Sequence, residues 1–64
     1  MEDLKSLAAS LYNETWEALE AGNDPLWTVE LAAASLNLWR RVGTAKNLTI
    51  GCWMYSRALA AAAA

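Results

Sequence analysis

An all-α fold, a single small domain over residues 1–64 in an up-down-up three-helix bundle or helical-hairpin module, is predicted by three observations. Two short breaks, Ala21-Gly22-Asn23-Asp24-Pro25 and Val42-Gly43-Thr44, divide the chain into three segments. Within each segment the apolar residues recur at helical spacing. The middle segment is apolar on two separate sides, so two neighbours must cover it.

The first helix is expected from about residue 3 to 21. Asp3 or Glu2 can cap its free amides. Leu4, Leu7, Ala8, Leu11, Tyr12, Trp16 and Leu19 fall on one side, and Ser6, Ser10, Asn13, Glu14, Glu17 and Glu20 on the other. That is a one-faced amphipathic helix. Gly22 can take the left-handed cap conformation that stops it.

Asp24-Pro25 opens the second helix, expected over 25–42. Asp caps, and Pro at the first helical position loses no hydrogen bond. Trp27, Leu31, Leu38 and Val42 form one apolar stripe, and Val29, Ala32, Ala33, Leu36 and Trp39 a second. Thr28 and Ser35 separate the stripes on one side. Glu30, Asn37 and Arg41, with Ala34 among them, leave a solvent strip roughly 60° wide. The Ala32-Ala33-Ala34 run lets a neighbouring backbone come close.

Gly43 is expected as a left-handed cap, and Thr44 as the N-cap of a third helix over about 45–62. A broad apolar side holds Leu48, Ile50, Gly51, Cys52, Met54, Tyr55, Ala58 and Leu59. Gly51 costs about 1 kcal/mol against Ala in a helix interior, which a close helix crossing would explain. Lys46, Thr49, Ser56 and Arg57 make the polar arc, and Trp53 points into its middle. Links this short favour antiparallel neighbours.

Size and composition narrow the function. A chain of 64 residues buries only about 60% of its unfolded surface and usually needs a staple or a partner. Cys52 is the only cysteine, so no internal disulfide forms, and there is no histidine. Hydrophobic content of 56% and four Trp argue against disorder. A net charge of −2 and a pI near 4.8 argue against a nucleic-acid partner. No stretch approaches the ~18 to 20 apolar residues of a membrane span, and the acidic Met1-Glu2-Asp3 start is unlike an export signal, so a cytoplasmic location is expected. The charges are unevenly placed. Residues 1–32 hold all seven acids and Lys5, and residues 33–64 hold Arg40, Arg41, Lys46 and Arg57. Helix-dipole matching accounts for part of this; an acidic face of one copy meeting the basic end of another is the alternative.

From Leu38-Trp39-Arg40-Arg41-Val42-Gly43-Thr44-Ala45-Lys46-Asn47-Leu48 onward the chain resembles a junction between tetratricopeptide-type repeats, which stack antiparallel helix pairs. Gly51 matches that family's central glycine, Ile50 the apolar position before it, and Ala33 and Leu36 packing positions of the preceding helix. Asn47 stands where the family prefers Trp, Met54 where it prefers Tyr, and Glu17 where a second glycine would fall. The resemblance covers the second and third helices, roughly half the chain, and implies protein–protein binding. It also implies self-association or partners, because about three repeats are needed for a stable solenoid.

No catalytic, cofactor or metal motif stands out, so no enzyme activity and no cofactor are expected. Glu14, Glu17 and Glu20 read as a solvated face. Cys52, without a histidine to activate it, reads as buried and inert. Trp16 and Tyr12 read as the edge of the core. Trp53 reads equally as an exposed anchor or as a ring folded over a neighbour. A small-molecule site lined by Trp27, Met54 and Tyr55 is a further possibility. The expected function is a non-catalytic interaction module, a homo-oligomer (a dimer foremost) or one docked on a partner protein. A small accessory or regulatory subunit of a larger enzyme or assembly is the alternative. The expected interface is the uncovered stripe of the second helix with its basic end and Trp53: Trp27, Leu31, Leu38, Trp39, Arg40, Arg41, Trp53 and Arg57.

Overall fold

A computed structural model of the chain describes residues 3–64; Glu2, one of the two expected caps, lies outside them. Three helices, α1 (Leu4–Ala21), α2 (Pro25–Val42) and α3 (Ala45–Ala63), form an all-α bundle. Each boundary has a local chemical cause. The Asp3 carboxylate accepts a hydrogen bond from the Lys5 N–H at the start of α1, and Asp24 accepts from Leu26 N–H at the start of α2, with Pro25 beside it. Gly22 adopts φ 68°, and the Gly22 and Asn23 N–H groups donate to the carbonyls of Leu19 and Ala18. This paired closure satisfies two carbonyls that a helix end otherwise leaves open. At α3, Thr44 Oγ1 accepts from the Asn47 N–H while Asn47 Oδ1 accepts from the Thr44 N–H, a reciprocal capping box.

Gly43 departs from expectation. Its backbone is extended, φ −92°, not left-handed. Space explains the glycine instead: a Cβ there would lie 2.7 Å from the Trp39 carbonyl oxygen and 2.9 Å from Asn47 Cβ. The α2–α3 link is tight enough that only a hydrogen fits.

α2 packs closely against both α1 and α3, whereas α1 and α3 meet mainly through long side chains. Ala61 of α3 shares a recess with Ala18 and Gly22, and Asn47 and Ile50 share another with Ala9 and Tyr12, so α1 and α3 run in the same direction. The up-down-up order follows.

The interior is built from small residues. Ala8, Thr15 and Ala18 of α1, Thr28, Ala32 and Ser35 of α2, and Gly51 and Ala58 of α3 are all buried. Small seams let helices approach closely. The larger residues that fill the remaining space are Leu31, Trp39 and Met54. Ala32, Met54 and Ala58 form the central cluster, with Tyr12, Trp16, Leu19, Val29 and Tyr55 packed around it. Tyr12 and Trp16 therefore lie at the edge of the core.

Thr28 and Ser35, expected between two stripes, instead lie inside the seam. Their hydroxyls bring no unmet demand. Thr28 Oγ1 donates to the Asp24 carbonyl of its own helix, and Ser35 Oγ donates 2.9 Å across to the Ala8 carbonyl of α1. Thr15, which the periodicity of α1 left unassigned, is buried in the same way, donating 2.7 Å to the Leu11 carbonyl. Among the described residues no buried side-chain polar atom lacks a partner. Gly51 meets its expected role: a Cβ there would sit 3.0 Å from Leu36 Cδ1 and 3.7 Å from Leu36 Cα.

Candidate interaction surface

Both apolar stripes of α2 are used internally. Val29 packs on the Ala32–Met54–Ala58 cluster, and Leu36 and Trp39 lie against Gly51, so this stripe faces α3. Ser35 bonds α1, and Leu31, on the side of α2 away from α3, is only 6% exposed. Leu31 and Trp39, expected at an interface, are thus buried within the chain, because α1 and α3 flank α2 from both sides. Leu38 is half-buried. Trp27, at 52% exposure, stands free near the start of α2 beside Leu26, at 69% the most exposed large apolar residue among the described residues. Leu26 belonged to neither stripe in the sequence reading. At about 100° per residue it falls on the side of α2 opposite Ser35, away from α1, and that was the available signal.

Arg40 and Arg41 are exposed at the last turn of α2, where positive charge complements the helix dipole. With Asn37 they rim a shallow, open polar recess.

Trp53 combines both roles weighed for it. It remains 48% exposed, and its ring packs on Trp16 with centroids 5.7 Å apart and planes tilted by 46°. The Arg57 guanidinium lies 5.2 Å from the Trp16 ring centre and 5.6 Å from that of Trp53. Such contacts are worth about 0.5–1 kcal/mol each at an exposed site. The three side chains tie α3 to α1 and leave an aromatic ridge at the surface. Alongside it a recess of about 190 Å³ opens between α1 and α3, with Trp39 in its floor and Tyr12 and Ile50 on its sides. Ile50, expected on the apolar side of α3, is exposed there because α1 and α3 stand apart at that level.

Comparison with known protein families, with curated proteins and with solved structures returns no match.

Two further expectations are corrected. Cys52 is exposed, not buried, because the apolar side of α3 is wider than its neighbours can cover. Trp27, Met54 and Tyr55 do not line one site: Met54 is sealed in the core while Trp27 stands in solvent. Glu14, Glu17 and Glu20 lie exposed along α1. Among the described residues no group of three or more His, Cys, Asp or Glu is placed to hold a metal ion, and no helix is long and apolar enough to cross a membrane.

Proposed function

We propose that this chain is a non-catalytic helical interaction module that works by self-association or by docking on a partner protein. One observation carries the reading. Small residues fill the interior, while Leu4, Leu26, Trp27, Ile50, Trp53 and Leu59 remain exposed. Scattered apolar residues are ordinary on a surface. Two half-exposed Trp and four large aliphatic residues on a chain of 64 are a larger share than so small a core leaves idle. Trp is also the residue most enriched where binding energy concentrates. Arg57 beside Trp53, and Arg40 and Arg41 at the end of α2, supply polar rims. The resemblance to tetratricopeptide-type repeats supports the same reading, and a cytoplasmic setting suits a single cysteine left as a free thiol.

The test is molar mass by light scattering across a hundredfold concentration range, with iodide quenching of Trp emission on the same samples. A mass that rises with concentration while quenching falls is the expected result for self-association. A monomer with quencher-accessible Trp leaves docking on a partner as the mode. A monomer in which all four Trp resist quenching overturns the reading.

A further inference from the structure

The free apolar flank of α3 carries a pattern that selects its occupant. Ala45, Leu48, Cys52, Tyr55, Leu59 and Ala62 recur at alternating intervals of three and four along nearly all of α3. That is the seam spacing of a coiled coil. Ala45, Cys52, Leu59 and Ala62 are exposed, Leu48 and Tyr55 are half-buried with one edge of Tyr55 on the core, and none of the six is charged. The parallel seam one residue earlier, Gly51, Met54 and Ala58, is the one already used against α2 and α1.

The free seam is symmetric in its outer positions, Ala45 with Ala62 and Leu48 with Leu59, and holds a small and a large residue, Cys52 and Tyr55, at its centre. Reversal about the point between Cys52 and Tyr55 sets Ala45 against Ala62, Leu48 against Leu59 and Cys52 against Tyr55. An antiparallel pair of identical helices makes these layers, with like residues meeting in the outer ones and the small Cys52 set against the large Tyr55 at the centre, where a parallel pair would set Tyr55 against Tyr55.

Charge points the same way. Leu36 of α2 lies level with Gly51 of α3, so the reversal point lies level with Ala33 and Ala34. A two-fold axis there brings Arg40 and Arg41 of one copy level with Leu26 and Trp27 of the other, between Asp24 and Glu30. α2 is acidic toward its start and basic at its end, so antiparallel pairing sets opposite charges together and parallel pairing sets like charges together.

Resting on the self-association mode proposed above, we infer that a second copy of this chain covers the Leu48–Cys52–Tyr55–Leu59 flank of α3, with the two α3 helices antiparallel about a two-fold axis between Cys52 and Tyr55. The two copies of α2 and α3 then form a four-helix core, with each α1 outside it.

Two measurements test this together. The unmodified chain is treated with a short bismaleimide, which is expected to join Cys52 to Cys52 of the second copy. In parallel, Leu48→Glu and Leu59→Lys are each expected to remain helical by circular dichroism. Each is expected to weaken the dimer at least about a hundredfold, since a buried unpaired charge is costly. An equimolar mixture of the two variants is expected to regain the dimer, because the antiparallel register sets Glu against Lys. A dimer of the unmodified chain that gives no covalent product while a monofunctional maleimide labels Cys52 overturns the inference and leaves self-association standing. Folded variants whose mixture stays monomeric overturn the antiparallel register. A monomer at every concentration overturns the second copy and leaves only docking on a different partner.

Discussion

α2 and α3 are of nearly equal length and similar apolar content, yet they end in opposite situations. α2 presents two apolar stripes and has a neighbour for each. α3 is held along Gly51, Met54 and Ala58 and leaves the adjacent flank only partly covered. The difference lies in chain order more than in composition. α2 packs closely against both α1 and α3, whereas α3 packs closely against α2 alone. An apolar flank of α3 therefore stays at the surface, while the corresponding flank of α2 is core.

Substitutions on adjacent residues test that contrast most strongly. Ala58 is fully buried and Leu59 is exposed, one position along the same helix. Ala58→Leu should destabilise by about 3 kcal/mol, the top of the usual overpacking range because the seam has no slack, and should lower the urea midpoint accordingly. Leu59→Ala should change monomer stability by under about 0.5 kcal/mol in the same titration. Equal effects would mean that the two flanks of α3 do not differ.

Leu31→Ala on α2 should cost about 2–3 kcal/mol, as expected for a buried leucine. The corresponding loss for Leu48→Ala on α3, measured at concentrations where the chain is monomeric, should be less than half of that. Gly43→Ala should cost about 2 kcal/mol, because the added Cβ meets the Trp39 carbonyl and Asn47 Cβ, and neither is the loose end of a side chain. Thermal denaturation followed at 222 nm would register it. Ser35→Ala should cost about 1 kcal/mol through the lost bond to the Ala8 carbonyl. An unchanged urea midpoint would show that small size alone is what this seam requires. The least disruptive probe is Cys52 itself. At low concentration its thiol should react with a maleimide nearly as fast in the native state as in urea, and the native rate should fall as concentration rises.

The helices and their ends were legible in the residues. Asp24-Pro25, Gly22 and Thr44 act through local chemistry that no tertiary contact overrides. The seams were less legible, because hydropathy misplaces small hydroxyl residues. Thr15, Thr28 and Ser35 count as polar on any scale, yet each returns its hydrogen bond to a backbone carbonyl and then behaves as a small packing unit. A signal was present: Thr28, Ala32 and Ser35 lead to Trp39 at seam spacing, with three small residues in a row of four. The role of Gly43 was hidden for a different reason. Glycine at a helix end suggests a left-handed cap, and only the tertiary path of the chain shows that contact distance is the cause. The exposure of the candidate surface residues was legible only in part. Trp27, Trp53, Arg40, Arg41 and Arg57 are exposed, Leu31 and Trp39 are core, and part of the broad apolar side of α3 is left uncovered.

The links between helices have a consequence for how the molecule comes together. Gly22–Asp24 and Gly43–Thr44 are short, and the close packing joins helices that are consecutive in sequence. Few distant stretches must find one another, so little loop-closure entropy precedes the first stabilising contacts, and assembly on the microsecond-to-millisecond scale is expected. The meeting of α1 with α3 through Trp16, Trp53 and Arg57 spans the longest stretch of chain and should form last. After a temperature jump, far-ultraviolet ellipticity would then settle first and indole emission would follow, giving this small chain its own internal clock for the final step.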